Sequence, residues 1–286
     1  MEFRSLGVCV KPDQPQLAEC VRGLAKWAGG RGIEVVLDPE AGRWTGAPAT
    51  PRAELAARVE LVVVLGGDGT LLAVARAVGR RQLPILGVNL GTLGFLAEID
   101  LADLFPTLEA VQAGRFRVES RMRFDVTAER EGRELGRYLA LNDAVIAKTA
   151  LSRMIDLETR ADGFEVTTYH GDGLIVATPT GSSAYSLSAG GPLLLPSFDA
   201  VVLTPICPHT LTQRPLVLGA GCEIAIAVRA TRGGEVHLTV DGQVGCELAE
   251  GDRVSVRRSE WPVQLLVPKD RNRFEVMRTK LRWGAR

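Results

Sequence analysis

The stretch Leu61 to Leu72, LVVVLGGDGTLL, decides how the chain is read. Leu61 to Leu65 is an unbroken apolar run, too short for an ordinary helix and rich in β-branched valine, so it reads as a strand buried on both faces. Gly66, Gly67 and Gly69 follow at once. They remove the Cβ atoms that hold a ligand away from backbone, and they allow φ values that other residues resist. A helix is expected to open at Thr70, with Leu71, Leu72, Ala75 and Val78 at helical spacing and Gly79 as its stop. Strand, bare turn and helix N-terminus together make a phosphate-binding arrangement. Asp68 is its unusual member. A carboxylate there repels phosphate unless it serves a metal or accepts a proton, although an Asp in such a turn also works as a helix cap. No GxxxxGK[ST] occurs, and Leu72 stands where GxGxxG needs its third glycine, so neither a P-loop nor the standard dinucleotide fingerprint applies.

The chain around this stretch has 286 residues, 46% of them hydrophobic, which suits two domains or one large one with a proper core. Its formal net charge is zero, so no global field draws it to nucleic acid or to an anionic membrane. Cys9, Cys20, Cys207, Cys222 and Cys246 are odd in number and widely spaced, with no CxxC pair. They indicate neither a disulfide framework nor a zinc cluster, and a reducing cytoplasm is expected. The N-terminal MEFRSLGVCVK lacks a long apolar core, and no run approaches the ~20 apolar residues of a membrane span. Lysine is scarce beside arginine, a bias that points to genome composition rather than function.

Ser5 to Val10 reads as a first strand, Leu17, Cys20, Val21, Leu24 and Ala28 as a helix, and Ile33 to Leu37 as a second strand. Pro39 to Pro51, rich in Gly, Pro, Ala and Thr, is expected to be a mobile surface loop able to close over a ligand. Pro84 to Val88 makes another strand, followed by a second glycine-bearing turn, Asn89 to Phe95, and a helix over Leu101 to Val111 despite an awkward Pro106. From about Arg115 alternation takes over, as in Ile224, Ile226, Val228 and Val236, Leu238, Val240, with hairpin signals at Asp162-Gly163 and Asp241-Gly242. Consecutive strands without helices between them imply a mostly antiparallel second domain. Thr178 to Pro192, TPTGSSAYSLSAGGP, is too rich in small and hydroxyl residues for a core strand. Phe274, Met277 and Leu281 recur at helical spacing, so the C-terminal tail is expected to pack back on another element.

Five blocks now converge: GGDGT of Gly66 to Thr70, NLGTLGFL of Asn89 to Leu96, LND of Leu141 to Asp143, DGLIVATPTGSSAYSLSAGGP of Asp172 to Pro192, and VDGQ of Val240 to Gln243. In this order they resemble NAD kinases, specifically a bacterial ATP-NAD kinase, from the first strand to KLRWG of Lys280 to Gly284. GGDGT is shared with diacylglycerol-type lipid kinases and phosphofructokinases, whereas NLGTLGFL and TPTGSSAYS are more selective. The resemblance implies transfer of the γ-phosphoryl group of ATP or another donor to the 2′-hydroxyl of the adenosine ribose of NAD, with Mg²⁺ or Mn²⁺, yielding NADP. It also implies an α/β N-terminal domain of Rossmann-like, phosphofructokinase-like type and a mostly antiparallel β C-terminal domain. The boundaries expected are 1–114 plus 268–286 for the nucleotide-binding domain and 115–267 for the NAD-binding domain, with the active site between them. A homodimer or homotetramer is implied as well.

Residue chemistry agrees with that implication. A ribose hydroxyl is a poor nucleophile at neutral pH, and Asp68 is the carboxylate chosen to take its proton; a Mg²⁺ contact through water is the alternative role of the same group. Gly66, Gly67, Gly69 and Thr70 are expected to bind donor phosphates through the backbone and the helix start, and Gly69 is counted with Asp68 at the NAD site. Asn142 and Asp143, at a strand end, can read vicinal ribose hydroxyls or an adenine edge, although such a pair taken alone is more often a turn. The family usually has Glu at Asp143, and Asp loses a methylene of reach. In the hydroxyl-rich block, Tyr185 can stack on adenine while Thr180, Ser182, Ser183, Ser186 and Ser188 satisfy its ring nitrogens, with Ala184 and Leu187 in the same block. Ser183 replaces the family's common Thr. The family pattern places Asp172 on a ribose hydroxyl of the nicotinamide half and Gln243 near the substrate, and Arg153 and His170 stand beside matched blocks. No residue is assigned as a direct metal ligand, and His209 and His237 lack metal-ligand spacing. Two rivals stand beside this reading. A lipid or sphingoid-alcohol kinase is opposed by the polar Thr180 block and by the lack of a membrane-binding stretch; a non-catalytic NAD-binding module would leave Asp68 without chemistry to perform.

Overall fold

Alternation is absent from the first strands because both of their faces are covered. In the computed structural model, which describes residues 2–91, 94–149, 153–231, 234–269 and 272–283, β1 (Ser5–Val10) leads into α1 (Ala18–Gly29) and β2 (Glu34–Leu37). Then come α2 (Pro39–Thr45), α3 (Arg52–Leu55), β3 (Leu61–Leu65), α4 (Asp68–Val78), β4 (Pro84–Asn89) and the short β5 (Ile99–Asp100). A helix α5 (Leu104–Gln112) and β6 (Phe116–Arg121) complete this part of the chain. Thr92 and Leu93 of the second glycine block and Gly284 of KLRWG lie outside the described residues.

β1 pairs in parallel with β2 on one side and β3 on the other, and β3 pairs in parallel with β4, giving the order β2-β1-β3-β4. Leu6, Val8, Val10, Leu61, Val63 and Leu65 form one face with Val21, Leu24 and Ala28 of α1. The opposite face takes α3 and α4 at such close range that two strands carry glycine. A Cβ on Gly7 would stand 2.4 Å from Leu55 Cδ2, and one on Gly87 would stand 2.7 Å from Leu71 Cδ1. β3 is therefore buried along its whole length, as the apolar run predicts.

The Pro39 segment is not the loop that its composition suggests. Asp38 caps α2 by accepting the Ala41 N–H at 2.9 Å, Pro39 occupies the first turn, and Gly46 ends the helix at φ 73°. Local capping signals at both ends override the loop-like composition between them. Asp38 is fully buried, and its Oδ2 also accepts from Val10 N–H at 3.2 Å and Arg52 Nε at 2.9 Å. Arg52 donates in turn to the Val10 carbonyl at 2.7 Å, so the ends of β1 and β2 are tied through one ion pair. Pro106 sits third in α5, within the first turn, where its missing N–H has no intrahelical partner to lose.

From β7 (Phe124–Arg130) and β8 (Arg133–Ala140) the chain is antiparallel. β9 (Asp143–Lys148), β10 (Ile155–Ala161), β11 (Phe164–Gly171) and β12 (Gly173–Ala177) lead to a short helix, α6 (Tyr185–Ser188). β13 (Ala200–Ile206), β14 (Leu216–Gly219), β15 (Ile224–Ala230), β16 (Val236–Val240), β17 (Val244–Leu248) and β18 (Arg253–Arg258) follow. They form two six-stranded sheets, β11-β10-β15-β18-β7-β8 and β14-β13-β12-β9-β16-β17. Alternate residues of both sheets, among them Ile224, Ile226, Val228, Leu238, Val240, Leu174 and Val176, share one core. Asp162-Gly163 and Asp241-Gly242 turn their hairpins with positive φ at both residues, as the sequence signals predict.

β19 (Val263–Pro268) then returns to the first sheet, pairing in parallel with β4 and lying next to β6. α7 (Arg273–Leu281) follows, but its spacing misleads about its buried side: Val276 and Met277 are buried, whereas Phe274 is exposed. The two compact units are residues 1–120 with 263–286, and 121–262.

Removing Asp38 leaves Arg52 without its carboxylate and takes away a cap and a strand-end bond. Asp38→Ala is expected to lower unfolding stability by about 3–5 kcal/mol. Glu109→Ala, which breaks the exposed Arg31–Glu109 pair, should change it by less than ~1 kcal/mol. Urea midpoints compared at constant m decide this; equal shifts in the two variants would remove the special role of the buried pair.

Candidate active site

In the first unit the GGDGT loop leaves the carboxyl end of β3. Gly66 N–H donates to the Val88 carbonyl at 2.8 Å, holding the loop against the end of β4. A Cβ on Gly66 would stand 2.5 Å from Thr70 Oγ1, so this glycine makes room for the threonine. Gly67 is different: nothing lies within 4 Å of where its Cβ would be, and its φ of −83° is ordinary. Gly66, Gly67 and Gly69 are all absent from the positive-φ residues. At Gly66 it is space, not an unusual φ, that requires a glycine. The helix also opens earlier than expected, at Asp68 rather than Thr70, with Thr70 and Leu71 N–H both donating to the Gly67 carbonyl. Asp68, Gly69 and Thr70 therefore form the first turn, where the helix dipole favours negative charge.

The Asp68 side chain explains its presence in this turn. Its Oδ1 accepts from the N–H groups of Leu96 and Ala97, each at 3.0 Å, and its Oδ2 accepts from Phe95 N–H at 2.9 Å. Three consecutive amides, two at the end of the NLGTLGFL block and one from Ala97 just after it, thus hold one carboxylate. Gly94 permits the approach, since a Cβ there would stand 2.0 Å from Asp68 Oδ1. Among the described residues Oδ2 takes a single hydrogen bond, and a carboxylate oxygen has two lone pairs. One lone pair of Oδ2 remains for a proton.

In the second unit three of the matched blocks meet at one end of a sheet. Ala177 pairs with Asp143, and Val240 pairs with Ala144, so the loops at 141–143, 178–183 and 241–243 leave the same edge. Asp241 binds them together: its carboxylate accepts from the N–H groups of Leu141 at 3.0 Å, Asn142 at 2.7 Å and Asp143 at 3.2 Å. Thr178 completes the join, with N–H to the Asn142 carbonyl at 2.8 Å and Oγ1 to the Leu141 carbonyl at 2.6 Å. Gly181 presses on Asn142 so closely that a Cβ would stand 2.0 Å from its carbonyl oxygen. Asp241, Thr178, Gly94 and the Phe95 to Ala97 amides were not singled out in the sequence as site builders. The DG hairpin signal hid the first, because turn chemistry alone accounted for it.

The hydroxyl-rich block is partly turned inward. Ser182 donates to the Pro179 carbonyl and accepts the Leu194 N–H, and Ser186 bonds to Thr204 Oγ1 at 2.8 Å; both serines are wholly buried. Ser183 donates to the Thr180 carbonyl at 3.0 Å. These hydroxyls hold the loop's shape, which is a different use from the expected contact with ring nitrogens. Tyr185 and Ser188 are exposed, Ala184 and Leu187 half-buried, and Thr180 buried. Ala189 from this segment and Leu194 just beyond it cover Val145, Ile175, Ala177 and Val202, which is why β12 is buried on both faces.

Asp172 and His170 stand elsewhere. Gly173 pairs with Ala147, so Asp172 lies at the opposite end of β12 from Asn142, roughly 20 Å away at about 3.3 Å per residue. There Lys148 Nζ approaches Asp172 Oδ1 at 3.5 Å. His170 Nδ1 bonds to Asp156, and its ring meets His209 edge-on at 5.7 Å between centroids. Arg153 and Gln243 are exposed, Gln243 just past the hairpin turn. Among the described residues, no group of three or more His, Cys, Asp or Glu is placed to hold a metal ion.

Asp143 is 4% exposed, and burial pushes its carboxyl up to about 7, with the Asp241 carboxylate adding to the rise. A folded pKa above the unfolded value means that the folded state binds the extra proton. Its contribution to stability is complete below about pH 4 and is lost as pH rises through about 7. Asp143→Asn should flatten the decline in unfolding stability across that window and add on the order of 4 kcal/mol at alkaline pH. Identical pH profiles for variant and wild type would contradict it.

Comparison with known proteins identifies the family. Residues 6–116 match the model of the ATP-NAD kinase N-terminal domain, and residues 141–267 match that of the C-terminal domain. An NAD kinase of Geobacter sulfurreducens is 45% identical over 285 residues, covering 99% of this chain and all of the relative. One from Citrifermentans bemidjiense is 46% identical, with 99% of this chain and all of the relative covered. Among solved structures, yeast NADH kinase complexed with NADH shows 26% identity and a TM-score of 0.90 over all of this chain and 89% of that one. An Archaeoglobus fulgidus NAD kinase in complex with ATP shows 27% identity and a TM-score of 0.77, over 96% and 99% of the respective chains. A strand, a bare turn and a held carboxylate in the first unit, with three joined loops in the second, thus occur in a chain that belongs to the ATP-NAD kinase family.

Proposed function

We propose that the chain is an NAD kinase that transfers the γ-phosphoryl group of ATP to the 2′-hydroxyl of the adenosine ribose of NAD, with Asp68 as proton acceptor. The observation that carries this reading is the amide-held Asp68 carboxylate at the head of α4, beside open backbone at Gly67. As the ribose oxygen bonds to the γ-phosphorus, its proton passes to Asp68 Oδ2. The bond from the γ-phosphorus to the bridging oxygen breaks, and ADP leaves with that electron pair. Three N–H bonds fix the carboxylate's orientation through this step, so no rotamer search precedes proton transfer. In the second unit, Asn142, Asp143, Thr180, Ser183, Tyr185 and their neighbours are assigned to the dinucleotide, Tyr185 through its exposed ring.

A divalent cation, Mg²⁺ or Mn²⁺, fits the residues present only in a particular way. With no carboxylate cluster among the described residues and most of Asp68's acceptor capacity engaged, the ion would be held chiefly by the donor's phosphates and water, touching Asp68 at most through water. When bound, it neutralises phosphate charge. A homodimer or homotetramer and a cytoplasmic location are proposed on the family resemblance and on the five unpaired cysteines. Relatives named as NAD kinases give no support to the lipid-kinase or non-catalytic readings.

The test is an endpoint assay of purified protein with NAD, ATP and Mg²⁺, detecting NADP with a dehydrogenase specific for it. Wild type should form NADP, and Asp68→Asn should lose at least ~100-fold in rate, the size expected of a general base. Gly94→Ala, whose methyl would intrude on Asp68 Oδ1, should also lower kcat by about 10-fold or more, because it displaces the carboxylate. Absence of NADP with ATP or polyphosphate, and of NADPH when NADH replaces NAD, would sink the reading, and phosphorylated diacylglycerol would favour the lipid kinase.

A further inference from the structure

The sheet order β2-β1-β3-β4 reverses direction between β1 and β3. α1, which leaves β1, packs on one face with Leu6, Val8 and Val10, whereas α4, which leaves β3, reaches Gly87 on the other. The carboxyl ends of β1 and β3 therefore flank a switch-point crevice, the place where open parallel sheets receive ligands. GGDGT forms one lip. The other lip begins at Lys11, whose N–H donates to the Leu65 carbonyl at 2.8 Å and so fixes it alongside Gly66.

Lys11 is exposed and has no ion pair or side-chain hydrogen bond among the described residues. It is also the only lysine or arginine in the segments that follow β1, β3 and β4: KPDQ at 11–14, GG at 66–67 and LGTLGFLAE at 90–98. Arg52, the other cation at the end of β1, is committed to Asp38 and to the Val10 carbonyl. Backbone amides and a helix dipole offset only part of the charge of a polyphosphate, and Asp68 adds a negative charge of its own. A flexible ammonium on the facing lip balances it.

We propose that Lys11 contacts the β- and γ-phosphates of the phosphoryl donor and stabilises the charge that develops on them during transfer. This rests on the kinase reading above and deepens it. The bond changes are those already given; Lys11 stays protonated, donating to non-bridging phosphate oxygens and taking no proton from the reaction.

Lys11→Met and Lys11→Arg are compared with wild type by steady-state kinetics, and by calorimetric binding of a non-hydrolysable ATP analogue and of adenosine. Lys11→Met should lower kcat/KM for ATP by about 10- to 100-fold, leave KM for NAD within twofold, and weaken the ATP analogue but not adenosine. Lys11→Arg should restore most of the loss. A loss below fivefold, or one equal for the analogue and adenosine, overturns the proposal. Melting temperatures confirm folding, and Lys11→Gln replaces the Met variant if that one fails to fold. If wild type makes no NADP, the kinase reading fails on its own, while the analogue-binding comparison still decides whether Lys11 holds polyphosphate.

Discussion

Three consecutive backbone amides holding one carboxylate organise the first unit's site. Phe95, Leu96 and Ala97 direct their N–H groups at Asp68, and this needs several other features to be as they are. β3 and β4 must be parallel neighbours, so that the loops leaving them emerge side by side. Gly94 must lack a Cβ, and Gly87 must let the backbone of Ala97 approach to within 2.9 Å of its own missing Cβ. Gly66 must be anchored to Val88. The two glycine-bearing blocks are thus one device, in which the second supplies the hydrogen bonds that hold a carboxylate at the head of α4.

The second unit solves a related problem with the same chemistry. Asp241 receives the amides of Leu141, Asn142 and Asp143, and its own N–H returns to the Asp143 carbonyl at 3.0 Å. The two acids differ in setting. Asp241 is 8% exposed and its hydrogen bonds hold loops together, whereas Asp68 is only half-buried and keeps a lone pair for chemistry. Asp143, caught beside Asp241 in low-dielectric surroundings, is pushed toward its protonated form. A neutral carboxyl donates as well as accepts.

Serine and threonine in the Thr178 to Ser188 segment show how composition misleads about role. A hydroxyl-rich loop looks like a surface for ligand contacts, yet Thr178, Ser182 and Ser186 satisfy backbone and side-chain partners within the protein. They replace the hydrogen bonds that a compact irregular segment cannot make as a strand or helix. The loop is then rigid enough to cover β12 and β9 while presenting Tyr185 outward.

Much of this was legible in the sequence by itself. An apolar run without polar alternation marks a strand covered on both sides, alternation marks the sandwich strands, and DG pairs mark hairpins, because each depends on interactions within a few residues. GGDGT likewise announced a bare backbone beside a helix start, and Asp68 as its unusual acid. The helix over Pro39 to Thr45 is hidden by the Gly, Pro, Ala and Thr content of the segment, although its caps, Asp38 and Gly46, are local. What holds Asp68, what Asp241 binds, and which hydroxyls face inward were settled only in three dimensions. Their partners lie tens of residues away, and no local rule of spacing encodes a contact made by neighbouring strands of a sheet. Which end of the β9–β12 pair Asp172 and Asn142 occupy also belongs to the tertiary structure, since strand pairing, not sequence distance, separates them.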